Sequence, residues 1–228
     1  MFFPIGDDQV KGGHFPALSY AFIALNIAVF LYQLQFPDAL VGEFGSVPAE
    51  TVRGENLLTL FTSMFLHGGW AHLIGNMIFL WVFADNIEAT IGSTRFLIFY
   101  LLGGLAAHAA HIYFNWYSTV PTIGASGAIA AVMGAYLVMF PTSRIKVWFF
   151  FLIFRMPAIF FLGFWIAMQW MSGQASLEVN TAQSGGTAWW AHIGGFAFGV
   201  LAGFYFRFQY PSPKEEKAYD YYSGGGYY

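Results

Sequence analysis

Six stretches of the chain are almost unbroken runs of apolar side chains, and the polar residues collect between them. They lie at about Pro16–Phe36, Met64–Ala84, Phe96–Tyr113, Thr122–Phe140, Leu152–Met171 and Ala188–Phe208. Each has roughly the ~20 residues that a helix needs to cross the hydrocarbon core of a bilayer. The backbone must satisfy itself there, so the six segments are expected as helices. The alternation of a transmembrane barrel is missing, since Phe149–Phe154 is apolar on both parities. The pattern predicts an all-α polytopic membrane protein. It has a short N-terminal segment (1–15), a six-helix membrane domain (16–208) and a polar, then Tyr- and Gly-rich, disordered tail (209–228).

Composition sharpens this. Of 228 residues, 57% are hydrophobic and 9% charged, whereas a soluble domain carries about 25% charged residues. Too few charges remain to cover a globular surface. The absence of cysteine excludes disulfides, thiolate metal sites and thiol nucleophiles. A net charge of −3 leaves no basic footprint for nucleic acid. Six spans put both termini on one side. Lys11, Arg95, Arg144, Lys146, Arg155, Arg207, Lys214 and Lys217 fall on that side and Arg53 on the other. Both termini are therefore expected in the cytoplasm. The first fifteen residues carry Asp7 and Asp8 and lack a basic n-region, so no signal peptide is expected. Phe149–Phe151, with Arg155 and Pro157, is expected along the inner interface. Trp165, within the fifth span, is expected to pack.

The polar residues within the spans suggest chemistry. The carboxylates all lie in loops, tails or span edges, which excludes an intramembrane aspartyl pair. His67, His72, His108, His111 and His192, from three spans, share the outer leaflet. Interhelical hydrogen bonding would explain one such histidine. Five at one depth favour a polar cavity opening outward. Ser126 lies ~6 Å below the start of the fourth span, at 1.5 Å per residue, and matches His192 in depth. Ser126, Ala130 and Gly134 form one small-residue stripe and Gly195, Gly199 and Gly203 another. Such faces let helices approach closely. A neutral histidine can take the serine proton as general base, and without an intramembrane carboxylate the available design is a Ser–His dyad. His72 and Asn76, four residues apart on one face, can supply oxyanion donors, with the backbone N–H near Ser126 as another.

On these residues the chain resembles the rhomboid family of intramembrane serine proteases. The motifs are His67-Gly68-Gly69-Trp70-Ala71-His72-Leu73-Ile74-Gly75-Asn76 followed by Glu88, then Gly124-Ala125-Ser126-Gly127, then Ala191-His192-Ile193-Gly194-Gly195 with its glycine stripe. The resemblance covers about Leu57 to Phe208. It implies Ser126 as nucleophile, His192 as general base, and His72, Asn76 and the Ser126 backbone as oxyanion hole. His67 would support the site, Glu88 would hydrogen-bond on the cytoplasmic side, and Gly195 and Gly199 would make the contact between spans four and six. Gly124 and Gly127 flank the serine. The family uses no cofactor and cuts transmembrane proteins within the lipid bilayer, near its outer face. Entry would be past the fifth span, with the loop Ser172–Thr187 capping the site. A prokaryotic cell membrane is the expected location.

Two features depart from the family. Ala130 stands where many relatives place a large residue against the histidine, and Val52 precedes Arg53 where they carry a Trp-Arg pair. Two other functions compete. One is a catalytically silent rhomboid-like protein that binds transmembrane clients. The other is a haem or metal protein using His67, His72, His108 and His111. His67 and His72 stand about 140° apart around a helix, a poor arrangement for chelating one ion.

Overall fold

A computed structural model describes residues 2–8, 13–178 and 187–210. The chain runs β1 (Phe2–Pro4), α1 (Ala17–Gln33), α2 (Pro37–Phe44), α3 (Pro48–Val52), α4 (Thr59–Thr62), α5 (Trp70–Ile91), α6 (Ser93–Phe114), α7 (Ser126–Met139), β2 (Arg144–Phe149), β3 (Leu152–Pro157), α8 (Ala158–Glu178) and α9 (Trp189–Gln209). The long helices α1 and α5 to α9 correspond to the six apolar runs. By length and composition, α6 alone among the described residues would cross a membrane, while α1 and α7 are shorter apolar helices.

Two of the expected spans are displaced. The second begins at Trp70 rather than Met64, because Gly69, at φ +152°, cannot continue a helix backward. His67 therefore lies on the connection before α5 and not within it. The Gln33 side chain holds that connection, donating to the His67 carbonyl at 2.8 Å and accepting its N–H at 3.0 Å. At its far end α5 continues past Ala84 to Ile91 and stops at Gly92, φ +81°. Asp85, Asn86 and Glu88 are polar yet buried there, so hydropathy ends the helix too early.

The fifth span is shorter at its start than expected. Leu152–Pro157 is a strand, and α8 begins at Ala158. β3 pairs antiparallel with β2, and β1 covers the other edge of β2, in the order β1-β2-β3. The fold is thus mostly helical with one small sheet, not wholly α. Phe149–Phe154, apolar on both parities and expected at the start of the fifth span and along the inner interface, makes the hairpin itself. Its exposed turn holds Phe150 at φ +52°. In β2, Ile145 and Val147 are buried while Arg144, Lys146 and Trp148 face outward, a period of two.

The N-terminal segment is part of this end of the molecule rather than a separate piece. Asp7 accepts hydrogen bonds from Asn86 and the Tyr136 hydroxyl, and Asp8 pairs with Arg155 at 3.3 Å. Nearby, Glu88 accepts hydrogen bonds from the N–H groups of Leu18 (2.9 Å) and Ser19 (2.7 Å) and from the hydroxyls of Ser19 and Ser93. One buried carboxyl thereby satisfies open amides in the first turn of α1 and ties it to α5 and α6.

The connection 37–57, between the first two expected spans, is largely helical and folds over the opposite end. Ser46 bridges Thr122, and the Ala49 N–H bonds the Ser118 carbonyl at 3.0 Å. Arg53 forks onto Glu55 at 2.7 and 3.0 Å. That hydrogen bond holds the Glu55 carboxyl below its ordinary range and raises Arg53. Exposed as it is, the pair adds little stability.

In the core, α7 and α9 run parallel in close contact. A Cβ built on Gly195 would overlap the Gly127 carbonyl oxygen, one on Gly199 that of Ala131, and one on Gly203 would lie 2.9 Å from the Ala135 Cα. The α7 face meeting these glycines is thus Gly127, Ala131 and Ala135, one residue on from the expected Ser126, Ala130 and Gly134. Gly134 meets α9 beside it, at Phe196 and Val200. Each residue turns a helix by 100°, and only the packing decides which of two adjacent small stripes faces the neighbour.

Lys11, Lys214, Lys217 and the tail from 211 onward lie outside the described residues. So does 179–186, the middle of the expected capping loop; its first part, from Ser172, is the end of α8.

Candidate active site

The site forms where α5, α7 and α9 begin. Ser126 is the first residue of α7, not a turn inside it. Its N–H is one of the amides that a helix start leaves without an intrahelical partner. Gly124, at φ +126°, delivers the chain into that start, and its N–H bonds the Ser63 carbonyl at 2.9 Å. His192 is the fourth residue of α9 and is buried. Its Nε2 lies 2.8 Å from the Ser126 Oγ, and its Nδ1 lies 2.7 Å from the Gln169 Oε1 of α8. A hydroxyl and an imidazole at this distance can exchange a proton.

His72 and Asn76 approach from α5. The Nε2 of His72 would come within 2.8 Å of a Cβ on Gly124, and the Asn76 Nδ2 within 3.7 Å. The Gly68 N–H donates to the His72 Nδ1 at 3.3 Å. That makes Nδ1 the acceptor and leaves Nε2 carrying hydrogen, directed to the loop before Ser126. The Asn76 Nδ2 is buried and has no hydrogen-bond partner among the described residues. Two side-chain N–H donors therefore converge beside the serine.

A cavity of about 930 Å³ joins these groups, lined by His72, Asn76, Ser126 and His192 together with His111 and Asn115. The five histidines do not share it equally. His72, His111 and His192 line it. His67 packs edge-on against His72, ring centres 5.1 Å apart, and His108 is buried behind, 3.2 Å from the Ser63 hydroxyl. No group of three His, Asp or Glu among the described residues is arranged to hold a metal ion.

The ring of His192 is held from α8. Trp165 lies against it at 5.8 Å between ring centres, and Gln169 is one turn further along. Gln169 is absent from the sequence reading. An amide within an expected apolar span, four residues from Trp165, was the available signal.

A model of the rhomboid domain matches residues 54–209. The chain belongs to the rhomboid family. Rhomboid protein 1, mitochondrial, of Saccharomyces cerevisiae is 27% identical over 196 residues, covering 82% of this chain and 53% of that protein. Rhomboid protease GluP of Bacillus subtilis is 35% identical over 135 residues, 57% of this chain and 26% of GluP. Putative rhomboid protease YdcA of the same organism is 33% identical over 131 residues, 50% of this chain and 62% of YdcA. The chain thus matches only part of each of these rhomboid proteins. As a rhomboid it is an integral membrane protein. The matched region runs from the α3–α4 connection to the end of α9 and holds His72 and Asn76 of α5, Ser126 of α7, Gln169 of α8 and His192 of α9.

Proposed function

We propose that this rhomboid is an intramembrane serine endopeptidase that hydrolyses peptide bonds of transmembrane substrates. The observation that carries the reading is the 2.8 Å contact between the His192 Nε2 and the Ser126 Oγ inside a polar cavity. In this mechanism the Ser126 Oγ attacks the scissile carbonyl carbon while His192 takes the hydroxyl proton. The developing oxyanion is bound by the His72 Nε2–H, the Asn76 amide and the Ser126 N–H. The last lies at the positive end of the α7 dipole, where negative charge is favoured. His192 then returns its proton to the leaving amine, and water hydrolyses the acyl-enzyme by the same route.

The six long helices are the proposed spans, with both termini cytoplasmic. Large apolar side chains face outward on α8 and α9, among them Phe160, Phe164, Leu201 and Phe204, as lipid contact requires. Arg95, Arg144, Lys146, Arg155 and Arg207 lie at the end away from the cavity, which supports an extracytoplasmic site. A cell membrane is the proposed location; two of the relatives are from Bacillus subtilis, and the yeast relative is named as mitochondrial.

The test is cleavage of a fluorescent transmembrane substrate in liposomes, with labelling by a fluorophosphonate. Wild type should cut and be labelled, and Ser126→Ala should do neither. A folded wild-type protein that does not cut and is not labelled would mark a silent, client-binding member instead.

A further inference from the structure

We propose that Gln169 is a positioning residue for His192, selecting the tautomer in which Nε2 is free to accept the serine proton. The inference rests on the protease reading and adds to it a third group from a different helix. Both side chains are buried, Gln169 at 8% and His192 at 9% exposure, and Gln169 lies outside the cavity lining that His192 joins. The contact is 2.7 Å, with the amide oxygen facing Nδ1. An amide oxygen can only accept, so Nδ1 carries the hydrogen. A neutral imidazole has one N–H, so Nε2 then holds a lone pair, and it faces the Ser126 hydroxyl at 2.8 Å. In the other tautomer Nε2–H would point at the hydroxyl oxygen and Nδ1 at the amide oxygen, with no hydrogen between them.

The cavity lining contains no Asp or Glu among the described residues. No carboxylate is therefore placed to orient the ring, and the neutral amide dipole of Gln169 is the group that faces Nδ1. The ring plane is set separately. Trp165, on the same helix, lies against His192 at 37°, and Trp189 meets it edge-on at 90°. α8 thus supplies both a tilted aromatic contact and the hydrogen-bond acceptor for a histidine carried by α9. Once His192 accepts the serine proton, the Nδ1–H remains on the Gln169 oxygen, which stabilises the imidazolium without itself gaining a proton.

The test compares wild type with Gln169→Met, which keeps length and loses the acceptor, and Gln169→Glu, which restores an oxygen. Gln169→Met should retain its melting temperature and KM and lose about tenfold in kcat and in the rate of fluorophosphonate labelling, the size expected for one neutral hydrogen bond. Gln169→Glu should recover part of both rates. The ¹⁵N signals of His192 should report the Nδ1–H tautomer in wild type and a mixture in Gln169→Met. Wild-type kcat in folded Gln169→Met, or an unchanged tautomer, would overturn the proposal. If Gln169→Met does not fold, Gln169→Asn makes the same comparison, since its shorter side chain withdraws the oxygen from Nδ1: a lowered kcat supports the assignment and an unchanged one ends it. If wild type cuts nothing, the protease reading fails, and the tautomer measurement still decides this one.

Discussion

The Cα of Gly199 in α9 lies so close to the carbonyl oxygen of Ala131 in α7 that a methyl group there would overlap it. The obstacle is backbone in the middle of a helix and cannot swing aside like a side chain. Overpacking of a core ordinarily costs ~1–3 kcal/mol, and this site is at the upper end or beyond. Gly199→Val is expected to lower the melting temperature in detergent sharply and to abolish cleavage with it. A variant as stable as wild type would show that α7 and α9 are not held in this register.

The donors facing Ser126 should act on the transition state. Asn76→Ala and His72→Ala should each lower kcat about 10²-fold or more, the usual cost of one oxyanion donor, with KM changed little. Steady-state kinetics on a transmembrane substrate checks this. A rise in KM at constant kcat would make them substrate-binding groups instead.

Ser126 and His192 should behave as one unit. Ser126→Ala with His192→Ala is expected to be no slower than either alone, because losses in a coupled pair do not add. His192→Ala should also leave Ser126 unlabelled by the fluorophosphonate while the protein remains folded. Full labelling of that variant would mean that the serine needs no base.

Glu88 is expected to matter for stability only. Glu88→Ala leaves the buried N–H of Ser19 and the part-buried N–H of Leu18 without their acceptor, at ~1–3 kcal/mol for the buried one. The melting temperature should fall by several degrees. The kcat of the folded fraction should stay near wild type, since Glu88 lies at the other end of α5 from His72. Melting curves beside single-turnover rates separate the two effects.

Apolar run length located the six long helices, though not all of their ends, and the short motifs singled out the serine, the histidine and the two oxyanion candidates. Burial in a membrane requires long apolar segments, and polar groups inside them stand out. Other features were decided between elements. The Phe149–Phe154 run carries no period that separates strand from helix, and it becomes a hairpin because β1, from the far N-terminus, pairs with β2. The polar end of α5 is helical because Asp7, Leu18, Ser19 and Ser93 bind its buried side chains. Which small stripe of α7 meets α9, and that Gln169 of α8 reaches His192, depend on the rotation of each helix about its axis. The chain's own pattern of hydrophobic and polar residues determines which segments are buried. Their mutual rotation, and hence the contacts at the site, is set only when all the helices pack at once.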